Sequence, residues 1–483
     1  MMLLAWPFVA WVMYLRMPVE RAFVWTILGG YLLLPPVTSI DPPLLPEFDK
    51  LAITNLSAFF LTITVGRTKV RLLPRSLLAT LLLLVFVLVT IPTTLTNPDA
   101  IVIDAPQMDT GLMGGSTLVI PGLAPWDAFA ASTALVMIHV LPLLIARTLL
   151  AREAGRRELL RGLMIAGLLY TLPAIFEIRF SPKLNIWVYG FFQHDFIQMI
   201  RGSTFRPIVF LPHALWLAFF FVTSALATAS LTRAQPLAGR GKYMLALIWL
   251  ILVIAASKNM ASTGYVLALT PLVFLLSEKG RMRIAMIFVA FALVYPVMRN
   301  AGAVPVDDIV GFIARFSEER AQSLDFRFEN EEVLLAKATE RPLFGWGGWG
   351  RNLVFNEWDA SQDVIADGRW IYLFGTYGIV GFIGEFGLIA TPVVLMWLRR
   401  NRHTEADTLT HTGTLALIMG ITLFDLLLNA AIVPYVWVIA GALLGAAENR
   451  ARAPATRPGR AAAAARARPA AAPVPPPEGR TVI

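Results

Sequence analysis

With 483 residues, 57% of them hydrophobic and only 15% charged, the chain is too apolar to be a string of soluble domains, which run at about 45–50% apolar and about 25% charged. Its mean hydropathy of +0.65 agrees, so length is better counted in membrane spans than in domains. The absence of cysteine excludes disulfides, thiol nucleophiles, thiolate zinc sites and cysteine-held iron–sulfur clusters. The net charge is +9, but seven arginines against Glu478 alone follow Asn449, so most of the excess lies in the tail and gives no argument for nucleic acid.

Taken in chain order, Met2–Tyr14 is an apolar stretch containing Pro7. It reads as a thirteenth span, a half-inserted helix or an interfacial anchor. No basic region precedes it and no small-residue cleavage site follows, which argues against a cleaved signal peptide. Twelve apolar runs follow, at 21–37, 51–65, 76–93, 125–146, 162–176, 207–231, 243–257, 260–276, 284–298, 370–398, 412–428 and 434–448. Crossing about 30 Å of hydrocarbon needs roughly 20 residues, so the shorter runs are expected to extend into their flanks.

Every second loop is basic: Arg67–Arg75, Arg147–Arg161, Arg233–Lys242, Lys279–Arg283, Arg399–Arg402 and the tail. The positive-inside bias makes these the cytoplasmic loops, with both termini cytoplasmic. The chain therefore reads as an all-α polytopic membrane protein with a bundle over 1–298, a large outer loop over 299–369 and closing spans over 370–448. Residues 449–483 form an Ala/Pro/Arg-rich tail that cannot pack a core and is drawn to anionic lipid. Two amphipathic helices are expected in the outer loop, one over Ile309–Ala321 and one over Asn330–Ala338 with Asn330 as its N-cap.

Charges near apolar runs are the informative residues in such a chain. Ahead of the sixth run stand Arg201, Arg206 and His213. The arginines either snorkel at the interface or form a fixed site for phosphate oxygens. Lys258, in the turn SKNMASTG, is open to the same two readings, with Ser257, Asn259, Ser262 and Thr263 as hydrogen-bonding neighbours. The outer loop holds Arg315, Arg320, Arg327, Arg341, Arg351 and Arg369 among many carboxylates, much of it expected to be solvated surface. ERPLFGWGGWGRN, with Trp346, makes an aromatic-walled turn that either stacks on sugar faces or anchors the loop at headgroup level. Asp367 is a candidate acid or base, or an N-cap for the helix beginning near Trp370. Glu385, inside that run, is expected to be buried with a partner. The histidines are scattered, and no metal-ligating pattern emerges.

RGSTFRP, SKNMASTG, RFENEEVLLAKATERPLFGWGGWG and DGRWIYLFGTYGIVGFIGEFG, spread over about 200–395, together resemble the O-antigen ligase/polymerase superfamily of bacterial inner-membrane glycosyltransferases. The resemblance implies a GT-C-like fold and metal-independent, inverting transfer of a glycan from an undecaprenyl-diphosphate carrier to an acceptor glycan or lipid at the periplasmic face. No cofactor is implied, and the bilayer and polysaccharide-assembly proteins are the expected partners. Asp367 and Arg327 become the candidate catalytic residues. Arg201, Arg206, Lys258, Arg315, Arg341, Arg369, Trp346 and His213 become the candidate substrate-binding residues. Asp367-Gly368 stands where ligases typically carry His-Asn, which leaves polymerase activity or another acceptor open. A transporter or flippase is the competing reading, and a non-catalytic assembly scaffold a third.

Overall fold

The computed structural model describes residues 1–42, 45–105, 116–201, 204–356, 360–401, 411–430 and 432–451. The side chain of Arg201 and residues 452–483 of the tail lie outside the described residues. The described residues are mostly helical. The first half of the chain contains α1 (Met2–Arg16), α2 (Val19–Leu33), α3 (Lys50–Thr64), α4 (Leu77–Leu88), α5 (Thr90–Leu95), α6 (Pro125–Leu135), α7 (Leu141–Leu149), α8 (Glu153–Phe180) and α9 (Leu184–Tyr189). The second half contains α10 (Ala214–Ala234), α11 (Arg240–Ala256), α12 (Met260–Leu275), α13 (Glu278–Asn300), α14 (Val306–Ala314), α15 (Glu318–Glu340), α16 (Arg369–Leu398), α17 (Thr412–Asp425) and α18 (Pro434–Ala451). Two small antiparallel hairpins complete it, β1 (Ile101–Ala105) with β2 (Ser116–Ile120) and β3 (Ile200–Arg201) with β4 (Thr204–Phe205).

Each of the twelve apolar runs falls on a helix. Among the described residues seven helices are long and apolar enough to cross a membrane: Leu77–Leu95, Pro125–Leu149, α8, α10, Leu237–Ala256, α13 and α16. Four more are apolar but shorter, α1, α3, α12 and α17. Helix α10 is buried along most of its length and packs against α8, α11, α12 and α17. The run predicted over 207–231 starts its helix only at Ala214, after Pro207 and Pro212, and the preceding chain is tied to Glu177 at the end of α8. Its carboxylate accepts from the main-chain N–H groups of Leu184, Ile208 and Val209.

The basic loops meet at one end of the bundle. Arg147 pairs with Glu448 at 3.1 Å, Arg399 donates to the Ala447 carbonyl, Lys279 donates to Asn401 and Arg21 pairs with Glu158. The long 299–369 segment caps the other end. Its helices differ from expectation: α14 is short, and α15 runs without a break through Asn330, so Asn330 is not an N-cap. Asn330 instead accepts from the Ile365 N–H across the segment. Helix α15 is fastened by Glu331, which is buried and accepts from Tyr295 (3.0 Å), Arg299 (2.9 Å) and Trp370 (2.9 Å).

Helix α16 is broken at Gly378, whose φ of 65° and ψ of −167° are outside helical values. The turn 342–347 fits into the break. Trp346 and Gly347 donate their N–H groups to the carbonyls of Gly375 and Thr376, while Ile379 and Val380 donate to Pro342 and Leu343. A β-carbon at Gly378 would collide with the Leu343 carbonyl, and the positive φ would be strained in any other residue. Gly378→Ala is therefore expected to cost at least about 1–3 kcal/mol and to lower the melting temperature in detergent. Gly264→Ala, on an open face of α12, should leave it unchanged, and equal melting of the two variants would contradict the close fit.

Candidate functional site

Which arginines can meet a ligand is decided by which still have donors to offer. Arg351 is spent: it is 2% exposed, and its three nitrogens donate to the carbonyls of Trp346, Pro121 and Asp99. Arg341 donates to the Thr96 carbonyl and to Asn97 (2.7 Å) and lies 4.2 Å over the Trp346 ring. Trp346 in turn donates to the Lys337 carbonyl. Arg341 and Trp346, both predicted to bind substrate, are thus members of a clamp that fixes the turn against the end of α5.

Arg369, the third of these predicted substrate ligands, is turned into the bundle. Its Nε and Nη2 donate to the two carboxylate oxygens of Glu385 at 2.8 and 2.6 Å, and Glu385 is fully buried. The bidentate buried pair commits two of its three nitrogens and gives Arg369 a structural role in holding the bundle. Glu385 has the buried partner expected of it. Arg315 is exposed at the end of α14, and none of its contacts joins it to the residues described next.

Arg327, on the middle of α15, is different. Its Nη1 donates to the Leu428 carbonyl (2.8 Å) and to Asn429 Oδ1 (3.1 Å), and its Nε lies 3.8 Å from Asp367 Oδ2. Among the described residues its Nη2 has no partner, so part of the fork remains available. Asp367 is a third exposed and does not cap α16, whose N-cap is Gly368 without a side-chain bond. Burial pushes the Asp367 carboxyl above the usual carboxylate range, and the Arg327 charge opposes that push. The guanidinium is held from behind by a chain that the sequence reading did not single out. Asn429 accepts from Arg327 and donates to Asp425 at 3.0 Å, and Asp425 is also bonded to Tyr265 of α12. Asp425 is the lone carboxylate of an otherwise apolar run, which is the signal that would have found it.

His213 and Arg206 approach from the α8–α10 connection that Glu177 shapes. His213 caps α10, its Nδ1 accepting from the Leu215 N–H at 3.0 Å. Its ring lies 4.6 Å from that of His194, centroid to centroid, so two of the histidines that look scattered in sequence are neighbours. Burial first, then His194, Arg206 and Arg327, push the His213 imidazole down to about 3. It is therefore neutral near pH 7, and with Nδ1 accepting, its proton sits on Nε2. His213 offers a neutral N–H donor rather than a base. Arg206 is buried, and its main chain donates to the Met199 carbonyl.

Lys258 sits at φ 55° at the head of α12, and its carbonyl accepts from Arg320 on the first turn of α15. The polar residues around it serve the turn: Asn259 caps α12 through the Ser262 N–H, Ser257 bonds Ile254 and Thr263 bonds the Asn259 carbonyl. Arg327 thus pairs loosely with Asp367 and is close enough, with Arg206, for its charge to act on His213, while Lys258 is linked to the same helix by way of Arg320. Among the described residues no cluster of three or more histidine, aspartate or glutamate side chains is disposed to hold a metal ion.

No protein-family model matches the chain, and no curated protein matches it.

The pairing of Asp367 with Arg327 fixes a sign. If the Asp367 carboxylate is the working form, activity falls as pH drops through its raised pKa. Arg327 holds that value down, so Arg327→Gln is expected to move the acid limb of the pH–turnover profile to higher pH. A limb that stays in place would separate Asp367 from Arg327 functionally.

Proposed function

We propose that the chain is a membrane-embedded glycosyltransferase that moves a glycan from a polyprenyl-diphosphate carrier to an acceptor hydroxyl, in the assembly of a surface polysaccharide such as O-antigen or exopolysaccharide. The observation that carries this reading is Arg327, with a donor left over, loosely paired with Asp367 and close enough to act electrostatically on the neutral His213. In this reading the apolar runs make twelve spans in a GT-C-like arrangement within a bacterial inner membrane. The 299–369 segment is periplasmic and both ends of the chain are cytoplasmic.

The chemistry follows from the charges. The bond between the anomeric carbon and the diphosphate oxygen breaks while the acceptor oxygen bonds to the opposite face of that carbon. Negative charge grows on the departing diphosphate, where Arg327 and Arg206 stabilise it in a water-poor setting. The acceptor's proton passes to the Asp367 carboxylate. His213 donates Nε2–H to an oxygen of substrate or leaving group without changing charge. No metal is required by this scheme.

The transporter reading has one observation in its favour, the interrupted helix α16, since broken helices line many transport sites. Here, however, the carbonyls freed at Gly375 and Thr376 are already taken by the N–H groups of Trp346 and Gly347. That favours a filled break over a vacant ion or substrate site.

Two substitutions separate the roles. Arg327→Ala is expected to lower transfer by roughly a hundredfold or more and to remove long-chain surface glycan at unchanged protein abundance. Arg369→Ala, which would strand Glu385 in the bundle, should instead reduce the amount of folded protein. Normal glycan from Arg327→Ala would sink the proposal. In a deletion strain, gels of surface polysaccharide that keep single attached repeats would indicate a polymerase. Loss of every attached repeat would indicate a ligase, and unchanged banding would count against both.

A further inference from the structure

At the opposite end from Arg327 lies a cavity of about 430 Å³ lined by Lys69, Arg71, Arg75, Arg147, Arg152 and Glu448, with Glu20 also on its wall. The spans themselves establish that it is remote from the first site. Arg75 precedes α4, whose continuation α5 ends by Asn97 and the Arg341 clamp. Glu448 closes α18, which starts a few residues after the Asn429 that holds Arg327.

Five cations therefore face two carboxylates around one hollow, and one of the carboxylates is already committed. Glu448 accepts from Arg147 (3.1 Å) and from the main-chain N–H groups of Arg75 and Ser76. Arg147, 6% exposed, is further anchored by the Arg71 carbonyl, yet its buried Nε has no hydrogen-bond partner. The side chains of Lys69, Arg71, Arg75 and Arg152 have no ion-pair partner among the described residues. Like charges held around a concavity repel one another and raise the local potential for an anion. A buried guanidinium, Arg147, together with the exposed cations Lys69, Arg71, Arg75 and Arg152 around the same hollow, suits an oxyanion carrying more than one negative oxygen.

We propose that this cavity is a binding site for a phosphate-bearing anion, independent of the transfer site and of the function assigned to it. Two sources share that chemistry, the headgroup of an anionic phospholipid from the adjoining leaflet and a soluble phosphate compound.

The test uses the full chain, purified in detergent and stripped of lipid. Native mass spectrometry with phosphatidylglycerol and with phosphatidylcholine of the same acyl chains reads the lipid source. Calorimetric titration with inorganic pyrophosphate reads the soluble one. The variants are Arg71→Ala/Arg152→Ala, which leaves the Arg147–Glu448 pair intact, the charge-conserving Arg71→Lys/Arg152→Lys, and Lys69→Ala. The expected result is binding of one of the two anions to the wild type, retained by the Lys/Lys variant and weakened roughly tenfold or more by Ala/Ala. Phosphatidylglycerol behaving so would assign the site to a lipid, and pyrophosphate behaving so would assign it to a soluble phosphate. Lys69→Ala should weaken the same ligand in the same direction, which keeps the test decisive if the double variant fails to fold. Equal binding to wild type, Ala/Ala and Lys69→Ala, or no binding of either anion to the wild type, would overturn the proposal.

Discussion

A helix that breaks within an apolar bundle leaves main-chain groups that water cannot reach, and something must take their hydrogen bonds. In α16 the break is at Gly378, and the 342–347 turn takes those bonds from both sides. The long segment is therefore joined to the bundle by main-chain hydrogen bonds as well as by side-chain contact. Once the turn is seated, Asn97 donates to the Gly345 carbonyl and accepts from Arg341, and Arg351 ties the turn to the two segments flanking the β1–β2 hairpin, at Asp99 and Pro121. Helix α15 ends at this fixed turn and is pinned midway by Glu331, so the position of Arg327 against Leu428 and Asn429 follows from the closure of the break.

The buried charges divide by how completely they are met. Glu177 is met by three main-chain donors, Glu331 by three side chains and Glu385 by a bidentate arginine. Removing one partner from such a group leaves an uncompensated charge, so each holds elements together. Arg327 and Asp367 are a looser pair, at 3.8 Å, each partly exposed. They are braced from behind by Asn429 and Asp425 and not closed in front. The first kind of arrangement fixes a fold. The second retains capacity for a ligand.

Much of the helical fold was legible because apolar length is a local property: every run long enough to be noticed became helix. What stayed hidden depends on partners far away in sequence. Gly378 sits in a glycine-rich apolar run that reads as continuous, and only the Leu343 carbonyl pressed against it shows the break. Asn330 resembles a cap by its neighbours, yet α15 continues through it because Ile365 supplies a partner and Glu331 an anchor. Arginines were visible as a set, but their roles were not, since Arg351 is fully taken by carbonyls, while Arg341 and Arg369 are tied in part to a carbonyl, an asparagine and a glutamate that no spacing rule connects to them. Of the candidate site residues, Arg327 and Asp367 meet directly and His213 feels the charges of Arg206 and Arg327, and the conclusion that His213 is neutral required those neighbours.

The two ends of the bundle use positive charge in different ways, and this asymmetry bears on mechanism. At the basic end, Arg147, Arg233 and Arg399 donate to carbonyls or carboxylates that terminate helices, as expected of charges that complement helix C-termini. At the other end Arg327 leaves the middle of a helix to reach the carbonyl of Leu428, and a neutral histidine and a raised carboxylate share its surroundings. Alternating access would ask the same polar groups to face both ends in turn. A break sealed by main-chain bonds, with α15 clamped by Glu331 and by Arg341, resists that motion. That resistance supports the proposed transfer at a fixed place, in which preorganised donors would act without reorganising as charge develops.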